Sequence, residues 1–130
     1  MFEKTLMVLS TLEDIDLSIK MVVQRFKTIK TPDDFLSSDE NIEKLDSIAM
    51  RLLAIGEGLK NIDKLTNGQL LMQYPSIEWK NIKGLRDVLS HHYFDINAEI
   101  LFDVCSTKLS ELANVITQMR EELQQQNLYM

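Results

Sequence analysis

Apolar residues recur at steps of three and four from Phe2 to about Lys30: Phe2, Leu6, Leu9, Leu12, Ile15, Ile19, Val22, Phe26 and Ile29. This spacing keeps one helix face apolar, whereas a strand alternates its faces at every second residue. A second stripe runs through Ile42, Leu45, Ile48, Leu52, Ile55, Leu59 and Ile62. With four Gly and two Pro in 130 residues, there are few places where such helices can break. The chain is therefore confined to helices packed on helices.

Punctuation residues set the expected boundaries. Thr31-Pro32 ends the first helix, because the residue before proline is pushed out of helical geometry. Asp34-Phe35-Leu36 has room for a short extra turn, and Ser38 or Asp39 is placed to cap the second helix. Gly56 and Gly58 lie inside that helix and each weakens it by about 1 kcal/mol relative to Ala. Close approach of a neighbouring backbone would account for them. Asn67-Gly68 and Tyr74-Pro75 bracket a break, after which Ser76 is expected to cap a third helix carrying Trp79, Ile82, Leu85 and Leu89. Asp95 or Asn97 opens a fourth helix through Ile100, Leu101, Val104, Leu112, Ile116, Met119 and Leu123, and Gln124-Gln125-Gln126 begins a polar tail expected to fray. The expectation is an all-α, antiparallel up-and-down four-helix bundle with one possible extra short helix. It forms a single domain over residues 1–130, with no internal repeat and no separating linker.

The formal charge of −6 and the lack of any Lys/Arg block argue against wrapping of duplex nucleic acid, which draws its affinity from a basic face. A nucleic-acid role has to be local, with a few cations in a cleft, or shared with a partner. The lone Cys105 has no disulfide or metal-ligand companion, which fits a reducing, cytoplasmic setting and a buried thiol. The opening Met1-Phe2-Glu3-Lys4 leads into an amphipathic pattern, and no apolar run reaches spanning length, so no membrane association is expected.

The densest chemistry lies in Arg86-Asp87-Val88-Leu89-Ser90-His91-His92-Tyr93-Phe94, which holds both histidines of the chain. Arg86 supplies a permanent cation whose fork matches phosphate oxygens, and His91 titrates near neutrality. On an uninterrupted helix these two lie roughly 140° apart, Arg86 and Tyr93 fall nearly on one line, and Asp87 sits at i, i+4 from His91, where it would orient the imidazole. Together they suit phosphodiester cleavage without a metal or other cofactor. In-line attack needs one group to deprotonate a 2′ oxygen and another to protonate the leaving oxygen, which two copies across a two-fold cleft would supply. The plainer alternative is two histidines satisfying carbonyls at a helix end. Adjacent side chains also diverge too far for His91 and His92 to form a metal pair. Lys80 and Lys83, with Arg86, could form a small cationic patch or be ordinary solvated charges, as could Lys60; Trp79 reads as core.

The run from Tyr74-Pro75-Ser76-Ile77-Glu78-Trp79 through Ile82, Gly84, Leu85, Arg86-Asp87 to His91-His92-Tyr93-Phe94 resembles the HepT-like branch of the HEPN families. Asp34-Phe35-Leu36 and Ile55-Gly56-Glu57 extend the likeness to about residues 33–120. The resemblance implies an all-helical homodimer, a metal-independent ribonuclease toxin of a bacterial toxin–antitoxin pair, acting on RNA. It implies a cognate minimal nucleotidyltransferase antitoxin that adds AMP to the motif tyrosine. By that likeness Arg86 and His91 are catalytic, Asp87 supports them, and Tyr93 is modified. A second reading stays open: a non-catalytic helical module that binds the nucleotidyltransferase or presents Tyr93 to it, which suits the acidic balance better. Ligand binding between helices has no specific motif behind it.

Overall fold

In the computed structural model, which describes residues 2–92 and 95–128, the two stripes become long helices. Phe2, residues 90–92, Asp95 and residues 127–128 are described by backbone alone. Helix α1 (Phe2–Phe26) packs along α2 (Asp39–Thr66) and along α6 (Leu109–Leu128). The fourth place in the bundle is filled by two short helices, α3 (Trp79–Lys83) and α4 (Leu85–Leu89), lodged against α2. After α4 come β1 (Ser90–His92), β2 (Asp95–Ile96) and α5 (Ala98–Asp103), which continues through a π turn at Val104–Lys108 into α6. The all-α bundle read from periodicity is the observed fold.

One core joins these elements, with Leu12, Ile19, Ile48, Leu52, Leu59, Ile62, Leu101, Ile116 and Met119 all fully enclosed. Val8 rather than Leu6 continues the buried line of α1. Position 6 turns roughly 160° away from the face that Ile15 and Ile19 present, and Leu6 is 45% exposed. Asp16 is buried and accepts from Arg120 Nη1 and Lys20 Nζ, each at 3.0 Å, which ties α1 to α6. Among the described residues no helix is long and apolar enough to cross a membrane.

The connections depart from the sequence expectation in instructive ways. Helix α1 stops at Phe26, short of Lys30, because the chain turns there with Ile29 N–H donating to Phe26 O at 3.0 Å. Thr31 and Asp34 then form a reciprocal cap on a short 3-10 turn, Pro32–Leu36. The Asp34 carboxylate accepts from Lys30 N–H at 2.6 Å and Thr31 N–H at 3.0 Å. Those bonds, the Lys30 one foremost, hold its carboxyl below the usual carboxylate range. The turn drops Phe35 fully into the core, with its ring centroid 6.1 Å from that of Phe26, which in turn lies 5.2 Å from Phe102.

Ser38, not Asp39, caps α2, its hydroxyl accepting from Asn41 N–H at 3.1 Å. Ser38→Ala is expected to cost about 1 kcal/mol, seen as a lower urea midpoint at unchanged slope. An unmoved midpoint would show that packing alone sets that helix end. At the other end Asn67 (φ 54°) and Gly68 (φ 74°) adopt the left-handed conformation that closes α2, with Gly68 N–H donating to Asp63 O at 2.9 Å.

Candidate active site

The segment that leads into the candidate residues is pinned before any of them is reached. Tyr74 and Trp79 are buried, and Trp79 Nε1 donates to Tyr74 O at 2.9 Å, so the turn through Pro75 and Ser76 is tied across its base. The Tyr74 hydroxyl donates to Glu122 of α6. Burial, reinforced by that carboxylate, pushes the Tyr74 phenol up to about 12. Helix α3 starts at Trp79 with Glu78 in the capping position and no side-chain cap, so Ser76 does not cap it as expected.

Gly56 sets how closely α3 lies on α2. A Cβ at this position would stand 2.9 Å from Ile82 O and 3.6 Å from Lys83 O, a distance at which backbone must shift. The expectation of close backbone approach holds at Gly56 but not at Gly58, where an added Cβ would meet Ile15 side-chain carbons of α1 at 3.2 Å. Lys83 Nζ pairs with Asp63 of α2, an ion pair whose side chains are 28% and 23% exposed. The pairing is invisible in the sequence, where the partners are far apart and share no helix.

The third helix does not run straight through to the histidines. It breaks at Gly84, whose N–H donates to Lys80 O at 3.0 Å, resumes as α4, and ends at Leu89. Leu85 and Leu89 anchor α4 in the core, while Arg86, Asp87 and Val88 point outward. Asn97 N–H then closes on Leu89 O at 2.8 Å, and the Asn97 side chain caps α5 by accepting from Ile100 N–H at 3.0 Å. Between these points β1 and β2 pair antiparallel, Ser90 with Ile96 and His92 with Asp95. The register slips between Ser90 and His92, the step that contains His91.

One expected relationship is therefore corrected. Asp87 and His91 are not i, i+4 on one helix, because α4 has ended and the backbone at His91 is extended; the expected alignment of Arg86 with Tyr93 falls outside the described residues. The histidine is carried on a strand instead, two residues beyond the α4 end at Leu89. Arg86 is exposed and forms no ion pair among the described residues. The His91 side chain and the whole of Tyr93 lie outside the described residues.

Lys80 and Lys83 border a concavity with Lys60, Asp63, Gly84 and Asp87; Arg86, expected to share their patch, is not one of its lining residues. Among the described residues no three His, Cys, Asp or Glu side chains gather as a metal site. Cys105 is buried in the π turn, and burial pushes its thiol up to about 12. It should resist iodoacetamide at neutral pH in the folded protein and react fully once unfolded; rapid alkylation of native protein would contradict that burial.

The description "Ribonuclease HepT-like" belongs to the family model that matches residues 15–119. A Methanocaldococcus jannaschii protein named "Putative RNase MJ0127" is 33% identical over 115 residues, 85% of this chain and 88% of its own length. A second protein of that organism, "Gamma-glutamylcyclotransferase and putative RNase MJ0434", is 29% identical over 86% of this chain, which spans 45% of it. "Putative RNase TTE0752" of Caldanaerobacter subterraneus subsp. tengcongensis is 35% identical over 55% of this chain and 58% of its own length. No solved structure matches the chain.

Proposed function

Because the chain belongs to the HepT-like ribonuclease family, we propose that it is a metal-independent endoribonuclease whose site is assembled from Arg86 and His91 of two identical subunits. The observation that carries this reading is the placement of Arg86: exposed, without an ion pair among the described residues, on a helix turn that feeds directly into the strand of His91. A guanidinium left without a carboxylate partner is available to an external anion.

In the proposed reaction one neutral His91 takes the proton of a ribose 2′-hydroxyl as that oxygen attacks the adjacent phosphorus. The bond from phosphorus to the 5′ oxygen breaks, and the protonated His91 of the second subunit gives its proton to that oxygen. The products are a 2′,3′-cyclic phosphate and a 5′-hydroxyl, with the two imidazoles left in exchanged protonation states. Arg86 offsets the charge that builds on the phosphorane oxygens, and Asp87 supports the arrangement from the next position on α4.

The proposed physiological setting is a toxin–antitoxin pair in the cytoplasm. A minimal nucleotidyltransferase would direct the Tyr93 phenol oxygen onto the α-phosphorus of ATP, with loss of the phenol proton and release of pyrophosphate. The attached AMP would place negative phosphate near His91 and compete with substrate for Arg86.

The test uses purified protein with single-stranded RNA and tRNA in the presence of EDTA, products being analysed for cyclic phosphate ends. Cleavage unaffected by EDTA and a dimer in sedimentation are expected. Absence of cleavage by a well-folded dimer would remove the nuclease reading in favour of the interaction module. Mass spectrometry finding no adenylate on Tyr93 after coexpression with the nucleotidyltransferase would remove the regulatory part alone.

A further inference from the structure

Acidic residues outnumber basic ones in this chain, 20 to 14, yet three lysines from two helices border one concavity at the junction of α2, α3 and α4. It measures about 410 Å³ and is lined by Lys60, Asp63, Lys80, Lys83, Gly84 and Asp87. Asp87 is the chain neighbour of Arg86, so this hollow adjoins the helix turn that carries the proposed phosphate-binding guanidinium.

The three lysines are not equivalent. Lys83 is already neutralised by Asp63 in a largely enclosed pair that fastens α3 to α2. Lys60 reaches Glu57 at 3.7 Å, with both side chains about half exposed, 50% and 53%. Such a pair is weak, screened by salt and easily exchanged for a better anion. Lys80 is exposed and forms no ion pair among the described residues. Two exchangeable ammonium groups, one from α2 and one from α3, thus stand on the rim of a hollow that Asp87, the chain neighbour of Arg86, also lines.

An ammonium on a flexible stem is a point charge that suits phosphate without dictating the base above it. A duplex would need a broader basic face than this acidic chain offers, whereas a single strand bends to follow a short local track. We infer that Lys60 and Lys80 bind backbone phosphates of a single RNA strand beside the cleaved linkage, an inference that rests on the ribonuclease reading for the nature of the strand. They act as positioning residues, and the chemistry stays with Arg86 and His91.

The test measures binding of the full chain to a fluorescent, fully 2′-O-methylated RNA oligonucleotide, which lacks the attacking hydroxyl, across a series of KCl concentrations. Lys60→Gln and Lys80→Gln should each reduce the slope of log affinity against log salt by about 0.7, and the double variant by about twice that. Lys80→Arg should keep the slope, as should Lys27→Gln in the turn after α1. On cleavable RNA the two Gln variants should raise KM and leave kcat in place, while circular dichroism stays unchanged. An unaltered slope in the folded double variant overturns the inference even if the wild type cleaves RNA. Slopes that fall as expected in a protein that never cleaves would leave the phosphate track standing and overturn the nuclease reading. A wild type that binds no oligonucleotide overturns both.

Discussion

Arg86→Ala and His91→Ala should each lower the rate of RNA cleavage by about 10²-fold or more, and Arg86→Ala should leave the melting temperature unchanged. The size follows from the roles proposed. A positioned acid or base contributes about 10²–10⁴-fold, and one donor aimed at developing phosphorane charge about 10²–10³-fold. Stability is spared because the Arg86 side chain is exposed and, among the described residues, holds no carboxylate. Arg86→Lys should recover only part of the rate, since an ammonium keeps the charge but not the planar fork. If two imidazoles work in opposite protonation states, the rate should rise and fall with pH around neutrality. Cleavage that persists in both Ala variants would mean that the activity comes from elsewhere, a contaminant included.

Gly56→Val should destabilise the fold by about 1–3 kcal/mol, the usual range for overpacking a close contact. The added side chain starts 2.9 Å from Ile82 O, and the obstacle is backbone, which cannot rotate aside as a side chain would. Relief requires α3 to move off α2, and α3 leads through Gly84 into the turn that presents Arg86. Cleavage should therefore fall more than stability alone explains, because displacement by about 1 Å at a reacting centre can cost about 10²-fold. Gly58→Ala is the control. Its Cβ would meet Ile15 side-chain carbons at 3.2 Å, which can adjust, and the gain of about 1 kcal/mol in helix propensity offsets the crowding. If Gly56→Ala proves stabilising in thermal melts, the contact with Ile82 does not limit the approach of the two helices.

These two experiments separate the site from its support, and they differ in how far the sequence foretold them. The pairing of an arginine with a histidine is a local pattern, readable because phosphate chemistry calls for those residue types. The constraint at Gly56 was readable only as a question, since a glycine inside an apolar stripe announces an approach without naming what approaches. Asp63 carried no such signal. Its partner Lys83 lies on another helix, and nothing in local spacing joins them.

Residue order along the chain was enough to read the helical class, the long stripes of α1 and α2, the Phe35 turn, and the caps at Ser38 and Asn97, one of two candidates in each case. All of these rest on interactions within a few residues along the chain, so their rules operate before any tertiary contact forms. Tertiary structure decided where α1 stops, where the third helix breaks, and that His91 rides a strand rather than a helix. At each point local helical propensity was overridden by something distant or by its consequence: Ile29 and Phe35 reaching the core, α3 pressed to Gly56, Leu89 closed against Asn97. The order of residues supplied the chemical groups, and packing between segments decided which way Arg86 faces.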